Sequence, residues 1–257
     1  MAFLFDTHAH YTDEKFGDPT ELLNSLFSGD ICGILCAGTD EKTSIQSIAL
    51  AQKYEKMYAA AGIHPHECGA AGEINSALDR IVPLFSEDKV KALGEIGLDY
   101  YYDFSDRETQ RRFFDAQLSL AETYSLPVII HDREAHGDVF DIVCAHPKVR
   151  GIMHSYSGSA EQAKEYVRRG YYISFSGSLT FKNASKLLEA ARVVPADKFL
   201  VETDCPYLAP VPMRGKINHS GYMRYTAEKA AELLGMDYEA FCDREVRNAR
   251  AIFGIDE

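Results

Sequence analysis

The sequence lacks paired cysteines, linker-like segments and long hydrophobic runs, and each absence excludes a class of protein. Six cysteines are scattered along 257 residues without a CxxC pair, so we expect reduced, mostly buried thiols and no redox centre. No apolar stretch approaches the roughly 20 residues that span a bilayer. The first apolar run, residues 2–5, has no basic residue before it and does not fit a secretion signal. We therefore predict a cytoplasmic protein with no membrane contact.

Basic residues are also scarce. Lys and Arg number 27 against 39 Asp and Glu, which gives a formal net charge of −12. This balance argues against a protein that coats nucleic acid by bulk electrostatics, but it does not exclude a pocket that holds one phosphate. No segment rich in Pro, Ser or Gly divides the chain, so we predict a single domain over residues 1–257.

Short apolar runs alternate with longer amphipathic segments along the chain. Eight runs are predicted as strands, at 3–5, 31–37, 57–63, 90–96, 126–131, 151–154, 170–175 and 198–203. Helices are predicted over 108–124, where apolar residues return every three or four positions, and over 159–169, where Ser159 and Gln162 form a capping-box pattern. Repeated βα units of this spacing predict a (β/α)8 TIM barrel in the α/β class, with an open doubly wound sheet as the alternative.

Two histidines stand one residue apart at the end of the first predicted strand. Side chains of an extended backbone alternate in direction with a period of two, so His8 and His10 point to the same side. Neutral imidazole is the commonest metal ligand. The spacing therefore predicts that these two side chains bind one metal ion together.

Further residues of metal-binding type stand where other predicted strands end. In an α/β barrel these carboxyl ends face one mouth, which holds the active site. The metal site predicted from this placement comprises His8, His10, Glu95, His131, His154 and Asp204. By contrast, His136 and His146 lie on or at the end of a predicted helix, and we expect ordinary polar side chains there.

The donor types indicate the kind of metal and the kind of chemistry. Imidazoles with carboxylates suit Zn, Mn, Co or Ni better than Ca. The predicted ligands exceed what one four-coordinate Zn needs, so we predict two metal ions with one carboxylate bridging them. Two such ions roughly 3.5–4 Å apart activate a water and stabilise the attacking and leaving oxygens, which indicates hydrolysis.

The motifs resemble, in order, those of the TatD family of metal-dependent deoxyribonucleases. They are DTHAH, GIHPH, GEIGLDYY, IHDREA, HSYSGS, SFSGSLTFKNA and ETDCPYLAPVPMRGKIN. The resemblance runs from about residue 5 to residue 253, where NARAIFG is similar to the family's closing motif. It implies an amidohydrolase-like (β/α)8 barrel, two divalent metal ions (Mg or Mn in use, with Zn, Ni or Co expected in a crystal) and nuclease activity, in some members as a 3′ exonuclease.

The resemblance also implies a metal-binding role for each matching ligand. His8 and His10 would bind the first metal. His131 and His154 would bind the second metal. Glu95 would bridge the two ions.

Other residues would handle water and substrate. The resemblance implies that Asp204 completes the first metal site and takes the proton of the attacking water. It implies that His64 lines the pocket and contacts the phosphate, and that Arg214 binds phosphate or positions its loop. Four aromatic residues just past the fourth strand are predicted either to stack on a base or to pack their own loop: Tyr100, Tyr101, Tyr102 and Phe104.

One segment departs from the family pattern. Where the family reads Asn-Glu-Pro, this chain reads Asn-His-Ser-Gly at residues 218–221. We expect this loop over the barrel mouth, so the departure concerns the choice of substrate more than the chemistry. Tyr156 and Cys205 replace the family's Phe and Ala and are milder changes.

The leading prediction is a phosphodiesterase that acts on the ends of DNA, and by extension of RNA. An exonuclease that holds a few terminal nucleotides suits an acidic chain better than an enzyme that tracks a long duplex. Two alternatives stay open. One is a hydrolase of another ester or amide bond, such as a small phosphodiester, a lactone or an aminoacyl ester. The other is a non-catalytic nucleic-acid-binding protein with a structural metal site. No obligate protein partner is predicted.

Overall fold

A computed structural model describes residues 2–256 and contains eight strands in one sheet, ordered along the chain from β1 to β8. The strands are β1 (Leu4–Ala9), β2 (Ile31–Ala37), β3 (Met57–Ala61), β4 (Val90–Asp99), β5 (Val128–Arg133), β6 (Gly151–Met153), β7 (Tyr172–Phe175) and β8 (Phe199–Val201). A strand lies at each of the eight predicted positions, although β1 extends four residues past its predicted end and contains His8. Parallel strands in chain order with helices between them form the predicted (β/α)8 TIM barrel.

Helices follow the strands along the chain. They are α1 (Thr20–Ser28), α2 (Glu41–Ala51), α3 (Cys68–Ala71), α4 (Ile74–Ile81), α5 (Arg107–Tyr124), α6 (His136–Ala145), α7 (Ala160–Arg168), α8 (Ser185–Val193), α9 (Met223–Leu234) and α10 (Tyr238–Phe253). The predicted N-terminus of α7 is confirmed, because the Ser159 side chain accepts a hydrogen bond from the Gln162 amide at 3.1 Å. Within residues 2–256, no helix combines the length and the apolar character needed to cross a membrane.

The described residues divide into two compact units. The first unit runs to Cys36 and resumes at His154, and it holds β1, nearly all of β2, β7 and β8. The second unit runs from Ala37 to Met153 and holds β3, β4, β5 and β6. The single domain over residues 1–257 stays a prediction.

In the first unit, α10 covers the start of β1 and the strand β8. Ring centroids of Phe5 and Phe253 lie 5.9 Å apart, and those of Phe199 and Phe241 lie 5.8 Å apart. Burial of such large apolar side chains contributes roughly 1.5–3 kcal/mol each. Glu245 of α10 is also buried, and its Oε2 accepts a hydrogen bond from the Phe5 amide at 3.1 Å.

In the second unit, two buried amides of α5 fix the ends of neighbouring strands. Gln117 Oε1 accepts from the Ile63 amide at 2.8 Å, and Gln117 Nε2 donates to the Ile63 carbonyl at 3.0 Å, just past β3. Gln110 makes the same double contact with the Asp99 backbone at the end of β4, at 2.8 and 3.1 Å. Because buried backbone groups need partners, these contacts set the path of both strand ends.

Strands β4 and β5 run further than their apolar patterns predict. Their ladder continues through Gly97, paired with His131, to Asp99, paired with Arg133. Gly97 has φ +139°, and a Cβ there would lie 2.0 Å from the His131 carbonyl oxygen. Only glycine permits this close approach, so the ladder extends into the segment that carries the polar residues.

Candidate functional site

The end of β1 lies against the segment that follows β8. The His10 amide donates to the Cys205 carbonyl at 2.8 Å, and the Asp204 amide donates to the His8 carbonyl at 3.0 Å. These backbone contacts place Asp204 next to His8 and His10. Asp204 has φ 54°, a left-handed conformation that Asp adopts more readily than most residues.

Four side chains of the first unit, His8, His10, His154 and Asp204, form what we call the first cluster. The Nε2 atoms of His8 and His10 are 3.0 Å apart, and Asp204 Oδ1 lies 3.8 and 3.5 Å from them. The His154 ring stacks on the His8 ring, with centroids 3.9 Å apart. One ligand atom from each of His8, His154 and Asp204 lies within 4.8 Å of the others.

The carboxyl group of Asp204 is held in its ionised form. Burial opposes ionisation, but a hydrogen bond from His10 and the nearby His154 and His8 outweigh it and lower the pKa of Asp204 below its ordinary value. An ionised carboxylate among imidazole nitrogens is a donor set for a divalent transition metal. The first cluster therefore has the chemistry expected of a metal site.

Behind the first cluster lies Glu202, to which sequence analysis assigned no role. Its Oε1 accepts hydrogen bonds from His154 Nδ1 at 2.9 Å and from the Ser155 amide at 2.8 Å. With Nδ1 assigned as the donor, Nε2 of His154 carries the lone pair that a metal needs. The sequence signal was the spacing, because Glu202 stands two residues before Asp204 at the same strand end.

Asp6 of β1 holds the segment after β8 by hydrogen bonds. It is fully buried, and its oxygens accept from the Thr203 amide at 3.0 Å, the Thr203 hydroxyl at 2.6 Å and the Ser220 hydroxyl at 2.7 Å. Burial raises the pKa of Asp6 to about 6. These contacts explain why β8 is shorter than predicted, since Asp6 supplies the partner for the Thr203 amide.

The loop at residues 218–221, expected over the barrel mouth, is anchored in the interior of the first unit at two of its positions. Asn218 and Ser220 are both fully buried. Asn218 Nδ2 donates to the carbonyls of Thr203 at 2.9 Å and Tyr207 at 2.7 Å. The residues that depart from the family pattern therefore include Ser220, which supports Asp6.

Three side chains of the second unit, His64, Glu95 and His131, form what we call the second cluster, and their ligand atoms lie within 4.8 Å of one another. His131 Nδ1 is 2.8 Å from Glu95 Oε1, and His64 Nε2 is 3.4 Å from the same oxygen. Burial lowers the pKa of His64 to about 4, so its ring is neutral at pH 7. A neutral imidazole is the form that binds metals.

Asp99 supports the second cluster and was not among the predicted site residues. Its Oδ2 accepts from His66 Nε2 at 2.8 Å and from His131 Nε2 at 3.1 Å. Although burial opposes ionisation, hydrogen bonds from His131, the Tyr102 amide and His66 hold the pKa of Asp99 far below its ordinary value. The signal was again spacing, since Asp99 lies two strand periods after Glu95.

Arg214 lies beside a cavity of the first unit that both apolar and polar side chains line. The cavity has a volume of about 370 Å³, and its lining includes Tyr156, Ser178, Phe181, Asn183 and Lys186. The exposed Arg214 guanidinium stacks 4.1 Å above the Phe181 ring. The Ser176 hydroxyl lies 3.0 Å from that of Ser178 and 2.9 Å from that of Ser155, the residue after His154. A chain of three hydroxyls therefore runs from the cavity to Ser155.

Tyr100 is half-buried and engaged in packing. Its hydroxyl donates to Asp138, and the Arg107 guanidinium lies 4.3 Å above its ring. Base stacking by Tyr100 stays a prediction. His136 and His146 form polar contacts with Asp132 and Asp115 at 2.8 and 3.0 Å and belong to neither cluster.

The chain has clear relatives among known proteins. The family profile described as TatD related DNase matches residues 5–254. YabD of Bacillus subtilis, an uncharacterised metal-dependent hydrolase, is 40% identical over 256 residues, which cover 98% of this chain and 100% of YabD. The 3′-5′ ssDNA/RNA exonuclease TatD of Escherichia fergusonii is 31% identical over 265 residues, which cover 98% and 99% of the two chains.

A solved structure supports the same relationship. The crystal structure of YJJV, a TatD homologue from Escherichia coli K12, matches with a TM-score of 0.91 at 29% identity and covers 98% of each chain. This agreement confirms the predicted barrel fold. The chain is therefore a member of the TatD-related DNase family of metal-dependent hydrolases.

Proposed function

We propose that this protein is a metal-dependent phosphodiesterase that removes nucleotides from the ends of single-stranded DNA or RNA. The observation that carries the proposal is the convergence of imidazole and ionised carboxylate groups in the first cluster. The printed activity of the TatD relative, an exonuclease on ssDNA and RNA, supports the choice of substrate. A cytoplasmic location and the lack of an obligate partner stay predictions.

Both clusters fit divalent metal ions by their donor chemistry. In the first cluster, we propose His8, His10 and Asp204 as ligands of one ion. In the second cluster, we propose Glu95 and His131 as ligands, with the neutral His64 as a further donor. The bridging role of Glu95 and the assignment of His154 to the second ion, which the family resemblance implies, stay predictions.

Different residues would serve different steps of phosphodiester hydrolysis. Divalent ions in these sites would lower the pKa of water and stabilise charge that develops on the phosphate. Asp204, ionised and partly exposed, would take the proton of the attacking water. Arg214 would hold a phosphate by charge-assisted hydrogen bonds, since its planar guanidinium matches phosphate oxygens.

The acidic surface bears on the kind of substrate. A formal net charge of −12 disfavours long non-specific contacts with a duplex backbone. Contact with a few terminal nucleotides needs only local positive charge, which Arg214, Lys186 and the bound metals would supply. The proposal is therefore an exonuclease and not a duplex-tracking enzyme.

The test is nuclease activity of metal-stripped protein with added Mg²⁺ or Mn²⁺ on short end-labelled DNA and RNA. The matched control is Asp204→Asn, which keeps the side-chain shape but removes the proton acceptor. Metal-dependent laddering from one end, lost in the control, supports the proposal and reports the polarity of attack. Folded protein that binds metal and cleaves no oligonucleotide refutes the nuclease and directs the search to small esters, lactones and aminoacyl esters. Folded protein that cleaves none of these favours the non-catalytic alternative.

A further inference from the structure

Three aromatic rings are exposed within four consecutive residues, just past the end of β4. Tyr101, Tyr102 and Phe104 have 56%, 48% and 69% of their surface exposed. Single exposed apolar residues are common on proteins, but contiguous exposed groups of them mark binding surfaces. We refer to these three side chains, with Arg133 of β5, as the aromatic platform.

The rings of the platform are ordered against one another. Tyr102 and Phe104 stack with ring centroids 5.3 Å apart and planes inclined by 20°. Tyr101 meets Tyr102 edge-on at 5.0 Å. The Arg133 guanidinium lies 4.3 Å from the Tyr101 ring and 4.9 Å from the Tyr102 ring. The platform is thus an aromatic surface with a positive charge at one end.

Backbone hydrogen bonds hold the platform in place. Asp99 Oδ1 accepts from the amides of Tyr101 at 3.0 Å and Tyr102 at 2.9 Å. Ser105, directly after Phe104, donates its hydroxyl to the His66 carbonyl at 3.1 Å. A surface ordered before binding loses less conformational entropy when a ligand arrives.

The platform is continuous with the second cluster inside the second unit. The His66 ring lies edge-on to Phe104 at 4.9 Å and to Tyr102 at 5.5 Å, and it contacts the His64 ring at 4.4 Å. Asp99 also joins the two, since one of its oxygens holds the platform backbone and the other accepts from His131. A ligand on the rings would therefore lie next to the metal-binding side chains.

A packing role does not explain this surface. A loop that used its rings for packing would bury them, whereas Phe104 has the greatest exposed fraction of any large hydrophobic side chain among residues 2–256. Hydrogen bonds of Asp99 and Ser105 hold the loop without using the ring faces. The exposed ring faces are therefore available to a ligand.

We propose that the aromatic platform is a base-stacking subsite, on which an unpaired nucleobase beside the scissile phosphate lies against Phe104 and Tyr102. The proposal rests on the proposed nuclease function. Stacking on aromatic rings accepts every base, and Arg133 adds a cation–π contribution and attracts the phosphate backbone. A base inside a duplex cannot present its face, so the platform selects single-stranded ends.

The test compares two oligonucleotides that differ only in the terminal base. One carries normal terminal nucleotides and the other carries abasic ones, and binding is measured by fluorescence anisotropy in the Asp204→Asn background to prevent cleavage. We expect the normal oligonucleotide to bind on the order of tenfold more tightly, and Phe104→Ala to reduce that ratio to about twofold. Phe104→Trp should keep the ratio.

A matched control is Tyr124→Ala, which removes an exposed ring, 44% accessible, from the end of α5. It should leave the tenfold ratio unchanged. If adding Phe104→Ala to the Asp204→Asn protein leaves the affinity ratio unchanged while the wild type still cleaves, the base-stacking subsite is refuted and the proposed function stands. If Phe104→Ala instead changes only the oligomeric state in sedimentation, the platform is a protein contact and the proposal fails. Absence of both binding and cleavage for every oligonucleotide overturns the proposed function and, with it, the subsite.

Discussion

Glu202 offers the sharpest test of how the first cluster is supported. Its carboxylate is fully buried, and a single oxygen accepts both the His154 ring N–H and the Ser155 amide. Its other oxygen, Oε2, has no hydrogen-bond partner among the described residues. Glu202→Gln keeps one acceptor oxygen but removes the carboxylate charge. Its amide NH₂ group replaces Oε2, at a position with no hydrogen-bond acceptor among residues 2–256.

Two effects of different size follow from this geometry. Loss of a carboxylate behind a metal-binding histidine lowers metal affinity about 10–100-fold, which corresponds to about 1.4–2.8 kcal/mol. The buried NH₂ without an acceptor lowers the free energy of unfolding by about 1–3 kcal/mol. We therefore expect Glu202→Gln to stay folded at 25 °C but to bind Mn²⁺ more weakly.

The assay is calorimetric titration of metal-stripped protein with Mn²⁺, beside urea denaturation of the same samples. The control is Glu189→Gln, the same substitution at an exposed position on α8, which should change neither quantity by more than a few tenths of a kcal/mol. An unchanged Mn²⁺ affinity in folded Glu202→Gln would refute the argument that Glu202 prepares His154 for a metal.

Three further predictions concern stability. Burial raises the pKa of Glu245 well above its usual 4.5, so the folded state retains a proton that the unfolded state releases. The free energy of unfolding should therefore fall as the pH rises above 4.5. Glu245→Gln should reduce the dependence of the melting temperature on pH between about pH 5 and 8. Gln117→Leu leaves the Ile63 amide and carbonyl without their partner. It should lower the free energy of unfolding in urea by about 2–5 kcal/mol, and a loss under about 1 kcal/mol would contradict the role given to the Gln117 side chain. Gly97→Ala should lower the free energy of unfolding by more than about 2 kcal/mol, because the new Cβ would clash with β5. Gly137→Ala should be near neutral, because no described residue beyond its own helix lies within 4 Å of the Cβ it adds. Equal melting temperatures for the two variants would show that glycine is not required at Gly97.

Strand positions could be predicted because they depend on local pattern. Eight short apolar runs became eight strands, and the two-residue spacing of His8 and His10 was enough to place both nitrogens on one side. The helix N-terminus at Ser159 was also read correctly, since a cap involves only neighbouring residues. Each of these inferences uses interactions within a few residues of the chain.

The predicted ends of β4 and β8 differ from the observed ends for a physical reason. The β4 ladder continues because Gly97 allows a close approach to His131, a contact that no local apolar pattern encodes. β8 ends early because Asp6 takes the Thr203 amide from the other end of the chain. Boundaries of this kind depend on which distant group supplies a hydrogen bond.

By itself, the sequence determined the order of strands, the family and the types of metal-binding side chain at the strand ends. Only the tertiary structure decided which groups support them. Glu202 reaches His154 across 48 positions, and Asp6 reaches Thr203 across 197. Periodicity records the direction of a side chain along its own strand, but a hydrogen bond between strands depends on register and burial. For that reason the supporting shell, unlike the predicted ligands, emerged only from the folded chain.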